Sequence, residues 1–273
     1  MQRDQSDMQL RDDSVAAVTG ATSGIGEAFA RELARRECDL LITGRREEKI
    51  MGVAQSITES SGAGVEVFLA DFTDENTVRE LSETLSSLSK LDVLINNAGF
   101  DRARLFHEQE LQTWQDMVQV HVQAAMGLTH AVLPGMIERE RGAVINVSSL
   151  AAYTPLPFHA TYSATKSFLK CFSEALHMEL RDTDVRVQAL CPGITRSEIH
   201  KRMGLDPEKV YKDRGFWKTM EPADVVCQSL TALEKDRPVC VPGPNNRCVA
   251  FLSSLLPQSI VHWASEAFAK SQF

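Results

Sequence analysis

The sequence predicts one α/β domain built on a doubly wound parallel sheet of about seven strands, with helices on both faces. Three observations predict it. Short runs of Val, Ile and Leu recur along the 273 residues, nearly continuous rather than alternating, as strands buried on both faces require. Longer charged segments with helical spacing separate them, so strand and helix alternate as βαβ units with right-handed crossovers. A glycine-rich turn follows the first apolar run, at the carboxyl end where such a sheet binds its ligand.

The apolar runs, in order, are VAAVT (15–19), DLLIT (39–43), VEVFLA (65–70), LDVLIN (91–96), AVINVS (143–148), VRVQALC (185–191) and PVCV (238–241). Helical spacing marks EAFARELARR (27–36), TVRELSETLSSL (77–88), LQTWQDMVQVHVQAAMGLTHAVL (111–133) and SFLKCFSEALHMEL (167–180). The stretch from about 194 to 220 is irregular and precedes a helix start at Glu221. The tail at 248–270 is amphipathic and broken at Pro257, which suits packing on the body or on a second subunit. No repeat or linker divides the chain. Residues 14–247 read as one domain between a polar extension (1–13) and the C-terminal segment (248–273).

Composition excludes several classes. With 43% hydrophobic and 24% charged residues, the chain is neither collagen-like nor disordered. A formal net charge of −8 argues against nucleic acid as the partner. No apolar run is long enough to span a bilayer, and the first residues lack the apolar core of a signal peptide. Cys38, Cys171, Cys191, Cys227, Cys240 and Cys248 form no CxxC pair and no zinc-like cluster with histidine. They read as reduced thiols of a cytoplasmic protein, with no metal site.

Thr19-Gly20-Ala21-Thr22-Ser23-Gly24-Ile25-Gly26 joins the first strand to a helix. Glycines there permit a tight turn and close approach of a pyrophosphate to the backbone, and the helix N-terminus adds free N–H groups. The turn makes the fold Rossmann-like, although its TGxxxGxG spacing differs from the common GxGxxG fingerprint. An NAD site would place a carboxylate after the second strand; Gly44-Arg45-Arg46 stands there instead. Arginine pairs with a 2′-phosphate that a carboxylate would repel, so NADP(H) is the expected cofactor. Solvated arginines opening a helix are the alternative.

Tyr162 and Lys166 are four residues apart in Tyr-Ser-Ala-Thr-Lys, hence on one helix face. A free phenol, with a pKa of about 10, is a poor acid–base group at neutral pH, and a nearby ammonium favours its phenolate. Tyr162 can then exchange a proton with a carbonyl or alcohol oxygen while hydride moves to or from a nicotinamide. Ser149, at the end of the fifth strand, can hold that oxygen; Ser148 competes for the role.

TGATSGIG (19–26), NNAG (96–99), the Ser148/Ser149 pair, YSATK (162–166) and CPG (191–193) together resemble the ordered motifs of the short-chain dehydrogenases/reductases. The resemblance runs from residue 19 to about 198, and TGxxxGxG is that family's own spacing. It implies Tyr162 as acid/base, Lys166 as its partner and ribose ligand, and Ser149 as the substrate-orienting group. It implies Asn97, Ala98 and Gly99 along the adenosine, and Asp71 and Phe72 by the adenine. Pro192, Gly193, Ile194 and Thr195 would border the nicotinamide, and Ser197 falls where the family often has a phosphate-contacting Thr. One position departs. His121 stands where the family usually has an Asn that holds a relay water to the lysine. His121 either keeps that relay or only packs.

The family also implies that the 194–220 loop and the C-terminus select the substrate. Ile194, Ile199, Met203, Leu205, Tyr211, Phe216, Trp217 and Met220, with Tyr153, Leu156 and Phe158, describe an apolar pocket for a hydrophobic small-molecule ketone or alcohol. His159 and His200 are rim candidates, whereas His107, His130, His177 and His262 read as surface or packing residues. The chain is distantly similar to the 17β-hydroxysteroid and 3-ketoacyl reductase branch. A homodimer or homotetramer built on the helices at 108–138 and 159–181 is implied. Two alternatives remain beside an NADP(H) reductase: an NAD-linked alcohol dehydrogenase of the same family, and a non-catalytic dinucleotide-binding regulator.

Overall fold

The computed structural model describes residues 14–198, 210–212, 215 and 218–272. Seven parallel strands form one sheet: β1 (Val15–Val18), β2 (Asp39–Gly44), β3 (Val65–Leu69), β4 (Leu91–Asn96), β5 (Gly142–Val147), β6 (Val185–Leu190) and β7 (Val239–Cys240). Their order in space is β3-β2-β1-β4-β5-β6-β7. The direction of winding reverses between β1 and β4, so the crevice beyond their carboxyl ends is the ligand position of this architecture. The expected fold class is the observed one.

The connections are α1 (Gly24–Arg35), α2 (Glu47–Ser61), α3 (Glu75–Ser87), α4 (Leu111–Val118), α5 (Ala124–Glu138), α6 (Ala160–Glu179), α7 (Pro222–Glu234), α8 (Pro244–Leu255) and α9 (Gln258–Gln272). Local chemistry sets several ends. Asp74 caps α3 by accepting the Asn76 N–H at 2.9 Å. Pro222 opens α7, where a missing N–H costs nothing, and Gly62 ends α2 in the left-handed region.

The sheet's two-residue period sorts side chains into two cores. Ala16 and Val18 share one with Phe29 and Leu33 of α1, Ile50 of α2 and Leu230 of α7. Ala17, between them, belongs to the other, with Leu81 of α3 and Leu128 of α5. The run read as a single helix at 111–133 extends to Glu138 but contains a π-helical turn at Gln119–Gln123, where the Ala124 N–H reaches the Gln119 carbonyl.

A buried polar chain ties the strand ends to the helices. Asn96 and Asn146 are in register across β4 and β5, and Asn96 Nδ2 donates to Asn146 Oδ1 at 2.8 Å. Asn96 also donates to the Thr129 hydroxyl of α5 at 3.0 Å, and Asn146 Nδ2 donates to the Ser173 hydroxyl of α6 at 2.9 Å. All six cysteines are free thiols, with Cys38, Cys191 and Cys240 buried. Among the described residues no helix is long and apolar enough to cross a membrane.

Replacing Asn146 by Ala removes the acceptor that Asn96 meets across the sheet and the donor to Ser173, and leaves a void between β4, β5 and α6. We expect about 2–4 kcal/mol of lost stability, read as a lower urea midpoint at unchanged m-value.

Candidate active site

The glycine turn lies between β1 and α1. Gly20 and Gly24 hold φ of 67° and 62°, which residues with a side chain rarely adopt. A Cβ on Gly20 would also sit 2.9 Å from the Ala98 Cα, and one on Gly24 2.9 Å from the Ser197 Cβ. Asn97 fastens the turn: its Nδ2 donates to the carbonyls of Thr19 at 2.9 Å and Gly20 at 3.0 Å. The backbone N–H groups of Asn97 and Ala98 both donate to the Thr19 hydroxyl, at 2.9 and 3.0 Å. Gly26 packs against Asn97 and the Gly20 backbone and does not line the cavity; it makes room for this clamp. Gly20, Thr22, Ser23, Gly24 and Ile25 do line it, at the N-terminus of α1.

Arg45 and Arg46, at the end of β2, line the same cavity. Arg45 stands 3.6 Å from the Asp71 carboxylate, with both side chains about half exposed. Arg46 donates to Glu198 at 2.8 Å and to the Thr22 hydroxyl at 3.1 Å, while Lys49 reaches Glu198 at 2.5 Å. Asp71, Phe72, Asn97, Ala98 and Gly99 continue this wall, and Pro192, Gly193, Ile194, Thr195 and Ser197 line the cavity beyond β6. The donor set fits a nicotinamide dinucleotide. A helix N-terminus opens where a pyrophosphate would bind, and two guanidinium groups flank the far end.

α6 carries Tyr162 and Lys166 into the cavity, and Ser149 enters it from the end of β5. Ser149 hydrogen-bonds with Tyr162 and accepts the Ala151 N–H at 3.1 Å. The competing Ser148 is buried and donates to the Lys166 carbonyl at 2.6 Å, so its hydroxyl is engaged on the backbone. Lys166 Nζ donates to the Val147 carbonyl at 2.8 Å and lies 5.6 Å from the Tyr162 ring centroid. Burial brings the Lys166 ammonium down to about 8, against an upward pull from Asp101. Tyr162 is pushed above its ordinary value, first by burial and then by Asp101, while the Ser149 hydrogen bond opposes. In the chain alone, therefore, the ammonium does not lower the tyrosine. Desolvation of the phenolate outweighs a cation held on the Val147 carbonyl.

His121 sits on the π turn and is 1% exposed. Its Nε2 accepts the Phe100 N–H at 3.0 Å, so Nδ1 carries the proton and donates to the Thr165 hydroxyl at 2.9 Å. Thr165 in turn donates to the Tyr162 carbonyl at 2.9 Å. Burial first and the Lys166 charge second hold His121 well below its ordinary value, hence neutral. With both ring nitrogens engaged, it braces the loop after β4 against α6.

No motif points to Asp101, yet the fold places it in the cavity wall. It is 6% exposed, accepts the Arg102 N–H at 2.7 Å and contacts His159 Nδ1 at 2.8 Å. His159, one turn before Tyr162, also lines the cavity. A sequence separation of 58 residues gives no signal for this contact.

The cavity is about 800 Å³. Leu156 and Ile194 line it as expected, whereas Tyr153 lies under Lys170, 5.0 Å from its ring centroid, and Phe158 is off the wall. Tyr211 donates to the Ser197 carbonyl at 2.6 Å and so braces the loop. Met220 packs beside Gly243. Ile199, His200, Met203, Leu205, Phe216 and Trp217 lie outside the described residues. The tail supplies a wall as well: Leu252, Leu256, Ile260, Val261 and Phe268 face the cavity. No metal-binding cluster occurs among the described residues.

Fold and site together define a nucleotide-binding oxidoreductase. The chain matches the short chain dehydrogenase family over residues 14–208 and belongs to that family. It is 31% identical to an uncharacterized oxidoreductase of Staphylococcus saprophyticus over 224 residues, 82% of this chain and 92% of that protein. It is 34% identical to the very-long-chain 3-oxoacyl-CoA reductase of Anas platyrhynchos over 190 residues, 68% of this chain and 61% of that protein. A short-chain dehydrogenase from Sphingobium yanoikuyae in complex with NADPH superposes with a TM-score of 0.80 at 28% identity, covering 90% of this chain and 97% of that one.

Two outcomes are expected. Asn97→Ala frees the Thr19–Gly20 turn and weakens dinucleotide binding roughly tenfold by calorimetry, the loss of about 1.4 kcal/mol. Lys166→Met raises the stability of the cofactor-free protein at pH 7 by about 1–3 kcal/mol. The sign follows from the depressed folded-state value of about 8 against an ordinary 10.5. The cost of the buried charge is full below pH 8 and fades as pH rises toward 10.5, so melting curves of the two proteins should converge there.

Proposed function

We propose that this protein is an NADP(H)-dependent oxidoreductase that interconverts a carbonyl and a secondary alcohol on a hydrophobic substrate, with Tyr162 as the acid/base. The observation that carries the reading is the convergence of Ser149, Tyr162 and Lys166 on the cavity that the glycine turn and both arginines also line. The nicotinamide, when bound, supplies or accepts the hydride. Ser149 holds the substrate oxygen beside Tyr162, and Tyr162 gives that oxygen a proton during reduction or removes one during oxidation. Lys166 stabilises the phenolate and holds the ribose hydroxyls. His121 acts through Phe100 and Thr165 as a neutral brace that keeps α6 and the loop after β4 in register.

Arg45, Arg46 and Lys49 support NADP(H) over NAD(H). Glu198, which already bridges Arg46 and Lys49, marks the place where those cations accept an anion. The NADPH complex of the Sphingobium relative supports the same choice. The apolar wall formed by Leu156, Leu252, Leu256 and Phe268 supports a hydrophobic substrate, as do the long-chain acyl reductases among the relatives. Met126 and Ile137 on α5, with Phe168 and Met178 on α6, are exposed and support a homodimer or homotetramer built on these helices.

A panel of hydrophobic ketones assayed with both cofactors tests the reading. Tyr162→Phe should lower kcat by about 10²–10⁴-fold while NADPH still binds; full activity in that variant overturns the mechanism. Arg46→Ala should raise the NADPH Kd about 10-fold and leave the NADH Kd within about twofold, since only the 2′-phosphate loses a charge-assisted hydrogen bond.

A further inference from the structure

Reduction consumes a proton at every turnover. If Tyr162 supplies it, Tyr162 must be recharged from solvent before the next cycle. Among the described residues, the ionisable side chains around its ring are Lys166, His121, His159 and Asp101. Lys166 is 5% exposed and bound to the Val147 carbonyl. His121 is 1% exposed, with both nitrogens engaged. His121 does not line the cavity, and Lys166 meets it with Nζ held on the Val147 carbonyl.

His159 shares the cavity with Lys166 and is the more exposed of the two. Its side chain is 17% exposed, and it lines the cavity. Its ring centroid lies 6.4 Å from that of Tyr162, at an interplanar angle of 66°. Nδ1 is taken by Asp101 at 2.8 Å, and Nε2 has no protein partner among the described residues. A carboxylate on Nδ1 fixes the tautomer, leaving Nε2 to exchange protons. The backbone holds this geometry at a cost. Phe158, directly before His159, has φ of 69°, a left-handed conformation that a bulky residue rarely adopts. Its carbonyl accepts the Arg104 N–H at 3.0 Å, which stitches the Asp101 loop to the start of α6. Such strain persists where the surroundings over-determine it, and it concentrates at functional positions.

We propose that Asp101 and His159 form a proton relay that recharges Tyr162 from solvent. The proposal rests on the reading of Tyr162 as the acid/base. During reduction the Tyr162 O–H bond breaks and its proton passes to the substrate oxygen, while the carbonyl carbon receives hydride from the nicotinamide. The imidazolium of His159 then gives its Nε2 proton to the phenolate, through one water where direct contact is not made. Neutral His159 keeps Nδ1–H on Asp101, and solvent reprotonates Nε2. Oxidation runs the same path in reverse. Among the described residues, the titratable groups placed against His159 are Asp101, from the loop after β4, and Tyr162, from α6.

Rapid-mixing reduction assays of His159→Ala and His159→Gln, followed by NADPH absorbance, separate a relay from a structural role. The first turnover should keep its rate, because Tyr162 begins protonated, and later turnovers should slow roughly tenfold. Added imidazole should restore most of the slow phase in His159→Ala. In the cofactor-free wild type, ¹⁵N spectra should show His159 protonated on Nδ1, a preference that Asp101→Asn weakens. Steady turnover at the wild-type rate in His159→Gln, with Tyr162→Phe inactive, overturns the relay and leaves Tyr162 standing. Slowing of every turnover alike, without imidazole rescue, assigns His159 a structural role and also overturns it. An active Tyr162→Phe removes the reading beneath the relay.

Discussion

The site depends on one contact at the middle of the sheet, the pairing of Asn96 and Asn146 across β4 and β5. Parallel strands have no tight turn to set their register, so something at their ends must. Here two buried amides do it, and each also reaches a helix hydroxyl, Thr129 on α5 and Ser173 on α6. The chain following Asn96 is the Asn97–Asp101 wall of the cavity. The chain following Asn146 leads to Ser149. A slip at this pair would move both walls relative to the helix that carries Tyr162 and Lys166.

Burial works against charge at the site. Both Tyr162 and Lys166 are pushed toward their neutral forms, and desolvation is the largest cause for each. Asp101 is the acidic neighbour common to both, opposing neutral Lys166 and reinforcing neutral Tyr162. Such a site is poised to respond to what fills it, because an added charge or a displaced water acts in a low-dielectric space where electrostatic terms are large. It also costs stability, which the two apolar cores on either side of the sheet supply.

Much of this was legible without the fold. The seven apolar runs became the seven strands, because burial on both faces leaves little room for polar residues. The glycine turn, the two arginines, Ser149, Tyr162 and Lys166 were readable because each belongs to a short segment whose spacing carries its chemistry. The sequence preferred Ser149 over Ser148 from its place at the strand end, but the physical ground for setting Ser148 aside was not readable. It became visible only when the Ser148 hydroxyl was found on the Lys166 carbonyl. The π turn within 111–138 was also hidden, since apolar periodicity does not register one added residue in a helical turn.

By itself, then, the sequence determined the strand order of events along the chain, the dinucleotide turn, the cationic end of β2 and the Tyr162/Lys166 face of one helix. These are local properties, set by periodicity, backbone permissiveness and residues a few positions apart. The tertiary structure alone decided that Asn97 clamps the glycine turn, that His121 is a saturated brace, that Asp101 meets His159, and that the tail walls the cavity. Those contacts join residues tens of positions apart. Their physical cause is the need of each buried polar group to find a partner, and which partner it finds is settled only when the strands and helices have packed.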